Sequence, residues 1–140
     1  MRYITSCGFV AYREEAGENC YLLIKSPSGD VGFPKGHMEE GESEMDTARR
    51  ELKEETNVEV EAIDGFRRQI EYPLRRIPDA VKRVVYFLGK CTDDGISCQE
   101  GEVLEAGFFP YEKALEMLIF DETREILRDA EEFINNALKK

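Results

Sequence analysis

The sequence contains no apolar run that approaches the roughly 18 residues needed to cross a membrane as a helix. Its first residues also lack the apolar stretch and small-residue cleavage site of a secretory signal. The four cysteines show neither a C-x-x-C pair nor zinc-finger spacing, so they are expected to be reduced thiols. These absences predict a soluble, cytoplasmic protein without a membrane partner.

Basic residues are scarce, since 19 lysines and arginines stand against 30 acidic residues and give a formal net charge of −11. A protein that binds nucleic acid broadly needs a basic face for the phosphates, so no nucleic-acid partner is expected. An acidic protein can still hold a phosphorylated small molecule if its carboxylates recruit divalent cations that make the local field positive.

No internal repeat, low-complexity tract or linker divides the chain, which predicts one domain over residues 1–140 and is consistent with a monomer. Strands are predicted over 3–13, 21–25, 58–74, 81–90 and 105–109, and loops over 26–36 and 92–101. One helix is predicted over 43–56, capped by Ser43 and ended by Asn57 in a left-handed conformation. The alternation of strands and helices predicts a mixed α/β sandwich.

A second helix is predicted at the C-terminus, with Asp121 as its cap. Its apolar residues recur every three or four positions, which indicates a face packed on the core. These residues are Ile126, Leu127, Ala130, Phe133, Ile134, Ala137 and Leu138.

The helix over 43–56 carries three glutamates on one face. At 100° per residue, Glu54 and Glu55 lie about 60° and 40° to either side of Glu51. Like charges at this spacing repel, and a magnesium or manganese ion would remove the conflict, because hard cations bind several carboxylate oxygens. A solvated acidic face explains the helix alone equally well.

The larger pattern is Gly36, five residues, Glu42, seven residues and then RELKEETNV over 50–58. It resembles the signature of the Nudix hydrolases, in which the penultimate position is glycine; here it is Asn57, which a helix end tolerates. The resemblance implies a Nudix-type α/β/α sandwich with a mixed β-sheet. It also implies metal-dependent hydrolysis of a phosphoanhydride bond.

The resemblance assigns a role to each matching residue. Glu51, Glu54, Glu55 and the carbonyl of Gly36 would bind Mg²⁺ or Mn²⁺. Two further motif residues would support them: Glu42 would act through water or an ion pair, and Arg50 would orient the glutamates.

The general base of related enzymes is a glutamate within the motif or in a later loop. Glu54 is the candidate within the motif and Glu102 is the candidate in the loop. The alternative for Glu102 is an ordinary exposed carboxylate.

Three further segments, FPKGHMEEGE (33–42), GFRRQIEY (65–72) and KRVVYFL (82–88), resemble the asymmetrical diadenosine tetraphosphate hydrolases. In that group Lys35 and His37 would approach the polyphosphate, Lys82 would hold a phosphate, and aromatic residues would sandwich an adenine. A two-residue strand period places Lys82 and Tyr86 on one face, and Tyr72 is a second aromatic candidate. The alternatives are core packing for the tyrosines and a loop-capping role for His37.

Basic charge concentrates in one segment, which could form a second cationic wall for a long polyphosphate or a solvated hairpin face. Its members are Arg67, Arg68, Arg75, Arg76, Lys82 and Arg83. The predicted reaction is hydrolysis of dinucleoside polyphosphates, such as diadenosine tetraphosphate to ATP and AMP. The alternatives are hydrolysis of nucleoside triphosphates or RNA 5′ ends, and nucleotide sensing without catalysis.

Overall fold

The computed structural model describes residues 2–92 and 105–138. In chain order its elements are β1 (Arg2–Glu15), β2 (Glu18–Lys25), β3 (Val31–Gly32), β4 (Lys35–His37), α1 (Glu44–Thr56), β5 (Val60–Pro73), β6 (Ala80–Cys91), β7 (Glu105–Pro110), α2 (Tyr111–Met117), α3 (Asp121–Phe133) and a π-helical turn (Ile134–Leu138).

The strands form one mixed seven-stranded sheet with the order β3-β2-β1-β6-β5. The central strand β1 runs parallel to β6, from Arg2 beside Ala80 to Tyr12 beside Lys90. It runs antiparallel to β2 over its second half and to β4 at residues 6–8. The remaining strand, β7, pairs with β2 in an antiparallel manner.

Both faces of the sheet are covered, because β1 alternates apolar side chains toward two separate cores. Phe9 and Ala11 face α1, where they pack with Ala48 and Leu52. Val10 and Tyr12 belong to the opposite core, together with Leu127 and other residues of α2 and α3. The predicted α/β/α sandwich with a mixed sheet is therefore confirmed.

The loop predicted over 26–36 is wrong in part, because it contains β3 and reaches into β4. These strands have two and three residues, so they exist only through pairing with β2 and β1. The sequence analysis also assigned no element to residues 111–117, which form α2.

The start of α3 differs from the prediction by one residue. Phe120 is the N-cap and offers only its backbone carbonyl, which accepts hydrogen bonds from the Arg124 amide and the Thr123 hydroxyl. Asp121 lies in the first turn, where its charge complements the helix dipole.

The predicted core face of the C-terminal helix is confirmed for most of its members. Ile126, Leu127, Ala130 and Ile134 are buried, and Phe133 packs edge-on against Phe66. Ala137 is exposed and does not belong to this face, and the side chain of Leu138 is outside the part of the chain that the structure describes.

In the ranges 2–92 and 105–138, no helix has the length and apolarity that a membrane crossing requires.

Candidate active site

Local signals place α1 as predicted. The Ser43 hydroxyl accepts a hydrogen bond from the Asp46 amide, and the Asp46 carboxylate accepts one from the Ser43 amide, which completes a capping box. At the other end Asn57 has φ 58° and ψ 25°, and its amide donates to the Lys53 carbonyl at 2.8 Å. Asparagine therefore adopts the left-handed conformation for which the Nudix signature uses glycine.

Arg50 organises the acidic side chains of the motif. Its Nε and Nη2 donate to the two carboxylate oxygens of Glu42 at 2.6 and 3.0 Å. Its Nη1 donates to Glu51 at 2.6 Å and lies 3.3 Å from Glu54 Oε2. Nη2 also donates to the His37 carbonyl at 2.9 Å, which ties α1 to β4. One planar guanidinium thus contacts all three of these carboxylates.

The pKa of Glu42 is lowered to about 2, first by the Arg50 hydrogen bonds and then by the backbone amide of Glu39. The Thr47 hydroxyl also donates to this carboxylate at 2.8 Å. Glu42 is therefore an anion throughout the physiological range and acts as a fixed support for Arg50.

Successive side chains of β4 point to opposite faces of the sheet. Its pairing with β1 places Lys35 opposite Gly8 and His37 opposite Ser6, on the side of the α3 core. Gly36 points the other way, toward α1, and a Cβ there would overlap the Glu51 carboxylate. Only glycine allows the β4 backbone to approach this carboxylate so closely.

The three candidate metal ligands on α1 differ in their surroundings. The Glu54 side chain is 45% exposed and that of Glu51 is 15% exposed. Glu55 is buried and lines the main cleft, which lies on the α3 side of the sheet. Burial raises the pKa of the nearby Tyr86, and the charges of Tyr72 and Glu55 add to this effect. The position of Glu55 links the α1 side of the sheet to the cleft side.

No three carboxylate, histidine or cysteine groups converge on a common point suited to an ion within the described ranges. Glu51 and Glu54 instead share the Nη1 atom of Arg50. The chemistry of the donor set nonetheless fits a hard divalent cation, because three carboxylates share one face of α1 and the Gly36 backbone contacts one of them.

The main cleft has a volume of about 600 Å³, which is within the usual range for a small-molecule site. Glu55 and Lys35 are two of the charged residues that line it, and several aromatic rings line it as well. Its other lining residues are Ile24, Ser26, Asp30, Val31, Gly32, Phe33, Ile70, Tyr72, Val84, Tyr86, Phe120, Glu122 and Thr123.

The two tyrosines predicted to stack on a base differ in their exposure. Tyr72 is 45% exposed at the cleft, whereas Tyr86 is 1% exposed and packs edge-on against Phe33 with ring centroids 5.3 Å apart. Tyr86 therefore belongs to the cleft floor, and the expectation that it sandwiches a base is corrected.

Phe120 is a cleft residue that the sequence analysis missed. It is 52% exposed and lies in the connection between α2 and α3. An isolated aromatic in a short connection belongs to no periodic pattern, so only the chain's path reveals its position.

Lys82 lies beside the cleft, next to Tyr72 in the β5–β6 ladder. Its Nζ is 2.6 Å from the Ser6 hydroxyl and 3.4 Å from His37 Nδ1. Burial, and after it the charge of nearby Lys35, lowers the pKa of Lys82 to about 8. The Lys82 charge in turn lowers the pKa of His37 from its ordinary 6.5, so this ring is neutral at pH 7.

Three arginines of the basic segment lie on both faces of the sheet and pair with carboxylates, so these three do not form one cationic wall. Arg67 pairs with Glu44, and Arg83 pairs with Glu71, both on the α1 side. Arg68 is on the opposite side, where it pairs with Asp129 of α3. The basic hairpin thus anchors helices as well as facing solvent.

The loop candidate for the general base, Glu102, lies outside the described residues. So does most of the loop predicted over 92–101.

A sequence profile of the NUDIX domain matches residues 3–130. The chain therefore belongs to the Nudix family and is a hydrolase, a class that generally uses divalent metals and acts on small nucleotides.

Within this family, the chain is 28% identical over 143 aligned positions to the asymmetrical bis(5'-nucleosyl)-tetraphosphatase of Mus musculus, covering 94% of this chain and 95% of that enzyme. A crystal structure of a binary complex of the C. elegans Ap4A hydrolase superposes with a TM-score of 0.85 at 27% identity, covering 94% and 98% of the two chains. The 8-oxo-(d)GTP phosphatase of Mycolicibacterium smegmatis (strain ATCC 700084 / mc(2)155) is 35% identical over 71% of this chain but only 29% of its own length.

Proposed function

We propose that the chain hydrolyses dinucleoside polyphosphates, such as diadenosine tetraphosphate to ATP and AMP, with Mg²⁺ or Mn²⁺ as cofactor. The observation that carries the proposal is the cleft, which joins Glu55 of the motif helix to Lys35 and to the exposed rings of Tyr72 and Phe120. This order suits a substrate whose scissile phosphate lies near the carboxylates and whose base lies against aromatic rings. The names of the mouse and C. elegans relatives support the same substrate class.

Glu51, Glu54, Glu55 and the Gly36 carbonyl would hold the metal ion. When bound, a divalent ion neutralises phosphate charge and lowers the pKa of a water molecule in its coordination shell. Arg50 would keep Glu51 and Glu54 in the orientation this requires, while the ionised Glu42 holds the guanidinium in place.

Lys35 and Lys82 would bind the phosphates beyond the scissile bond. His37 would act as a neutral hydrogen-bond donor, because Nδ1 accepts from the Lys82 ammonium and the ring proton is then on Nε2. Tyr72 and Phe120 would contact a base through their exposed faces.

The proton of the attacking water needs a carboxylate acceptor. Glu54 is the more solvent-accessible of the two ligand candidates that contact Arg50, and Glu102 is the candidate outside the described residues. Replacing each by glutamine and comparing the pH profiles of kcat would decide between them: the base variant loses the acidic limb of the profile.

The substrate proposal is tested with a nucleotide panel in magnesium, using ¹⁸O-labelled water and mass spectrometry of both products. We expect diadenosine tetraphosphate to be the preferred substrate and ¹⁸O to appear in only one of ATP and AMP. Faster hydrolysis of 8-oxo-dGTP, another nucleoside triphosphate or a capped RNA 5′ end would contradict this proposal and would identify the faster compound as the substrate class. Nucleotide binding without hydrolysis in either metal would instead indicate a sensor.

The Glu55→Gln substitution tests the metal site, because it removes one anionic oxygen at nearly constant volume. Turnover should fall by several orders of magnitude, and Mg²⁺ binding measured by calorimetry should weaken. Glu59→Gln is the matched control, since Glu59 is exposed and pairs only with Lys53 among the described contacts. Equal turnover in wild type and Glu55→Gln would exclude Glu55 as a ligand.

A further inference from the structure

Three polar side chains from three adjacent strands meet beside the cleft. The Lys82 ammonium on β6 is 2.6 Å from the hydroxyl of Ser6 on β1 and 3.4 Å from Nδ1 of His37 on β4. Ser6 is 2% exposed and Lys82 is 7% exposed. The Nudix signature contains neither Ser6 nor any residue of β1, so the motif does not explain this contact.

Strand register explains why Ser6 is at the centre. The parallel β1–β6 pairing sets Ile4 beside Lys82 and Ser6 beside Val84, so the lysine side chain crosses diagonally to reach Ser6. The antiparallel β1–β4 pairing sets His37 directly across from Ser6. All three side chains therefore lie on the sheet face that carries the cleft.

The hydrogen bonds of the Lys82 ammonium leave one of its donors for a ligand. A lysine ammonium has three N–H donors. Among the described contacts two of them point to Ser6 and His37, so the third is available to an acceptor on a ligand. Tyr72, which pairs with Lys82 across β5 and β6, lines the cleft. A free lysine side chain samples many rotamers. A fixed acceptor beside the ammonium restricts these rotamers before the substrate binds, so less conformational entropy is lost on binding.

Resting on the proposed function, we propose that Ser6 is a positioning residue whose hydroxyl holds the Lys82 ammonium so that it binds a phosphate of the dinucleoside polyphosphate. Ser6 touches Lys82 rather than the reacting atoms, so its effect must pass through that lysine. Removing the hydroxyl should impair substrate binding more than turnover.

The kinetic test is a double-mutant cycle of Ser6→Ala and Lys82→Met with diadenosine tetraphosphate. Ser6→Ala should raise KM about five- to tenfold with little change in kcat, the effect expected when one hydrogen bond of typical strength is lost. In the Lys82→Met background the same substitution should change KM by less than about twofold, because coupled residues are not additive. Ser6→Thr should restore KM, and Thr5→Ala, on the opposite sheet face, should leave it unchanged.

A second readout does not depend on activity. NMR titration of the Lys82 side chain in the metal-free enzyme should give a lower pKa in Ser6→Ala than in wild type, because the hydroxyl oxygen stabilises the charged form. The other groups that act on this ammonium are Lys35, His37 and Cys7, and all are retained in the variant. The Lys82→Met variant identifies the resonance.

The outcomes separate the two proposals. If Lys82→Met raises KM while Ser6→Ala changes neither KM nor the pKa of Lys82, the role of Ser6 is wrong and the proposed function stands. Additive effects on KM also overturn the role of Ser6. If the enzyme does not hydrolyse dinucleoside polyphosphates, the proposed function fails, and an unchanged Lys82 pKa in Ser6→Ala then rejects the contact as well.

Discussion

At the scale of single residues, Arg50 is the side chain on which the motif depends. It binds Glu42 through two nitrogens, reaches Glu51 and Glu54 through a third, and donates to the His37 carbonyl. A lysine ammonium is a point donor and cannot reproduce this planar set. The geometry of the acidic residues therefore depends on the guanidinium and not merely on a positive charge.

The Arg50→Lys substitution should lower kcat by roughly 10- to 100-fold, because the glutamates lose their common support. The measurement is steady-state hydrolysis in saturating Mg²⁺, with Arg49→Lys as control. Arg49 is the neighbouring arginine, and it donates to the Val60 carbonyl rather than to an acidic residue. A similar kcat in both variants would mean that charge alone is sufficient at position 50.

Lys82 predicts a pH dependence of substrate binding. Its pKa is lowered from the ordinary 10.5 to about 8, so the ammonium is charged below this pH and loses its proton as pH rises through it. Since kcat/KM reports groups of the free enzyme, it should decline above about pH 8. In Lys82→Arg, whose guanidinium stays protonated, this decline should be absent; an unchanged profile would assign it to another group.

At the scale of elements, α1 could be predicted from sequence because its signals are local. Ser43, Asp46 and Asn57 determine its ends through contacts within a few residues, and the spacing of its glutamates fixes their common face. Strands β3 and β4 could not be predicted in the same way, because such short segments become strands only by pairing with distant ones. The burial of Tyr86 and the position of Phe120 likewise depend on packing between elements.

The C-terminal end of α1 gives a prediction about stability. Asn57 has φ 58°, so Asn57→Gly should change the free energy of unfolding by no more than about 1 kcal/mol, since glycine removes strain but adds freedom to the unfolded chain. Asn57→Ala should destabilise by about 1 kcal/mol, because alanine is less tolerant of this conformation. Urea unfolding of both variants checks the order, and a greater loss with glycine than with alanine would contradict it.

At the scale of the whole molecule, the sheet separates two tasks. The α1 side carries the acidic motif, and the α3 side carries the cleft with Lys35, Tyr72 and Phe120. Glu55 joins the two, because it belongs to α1 and also lines the cleft. The fold class and the motif helix were predictable, whereas this division became visible only when the strand register was known.

The net charge of −11 and the carboxylates of α1 predict that metal binding stabilises the folded chain. At a Mg²⁺ concentration about ten times Kd, the free energy of unfolding should rise by about 1.4 kcal/mol. The Tm of thermal unfolding should therefore be higher in MgCl₂ than in NaCl of equal ionic strength. Most of this increment should vanish in Glu55→Gln and persist in Glu59→Gln, and an equal increment in all three proteins would indicate general screening.

Two glycines allow the close packing of β4 because they have no side chain. A side-chain carbon on Gly8 would overlap the Pro34 carbonyl, and one on Gly36 would overlap the Glu51 carboxylate. The strand that carries Lys35 and His37 thus packs so closely against β1 and α1 that neither glycine position has room for a methyl group. Saturation mutagenesis should find both positions intolerant even of alanine, although Gly8 has no chemical part in the reaction.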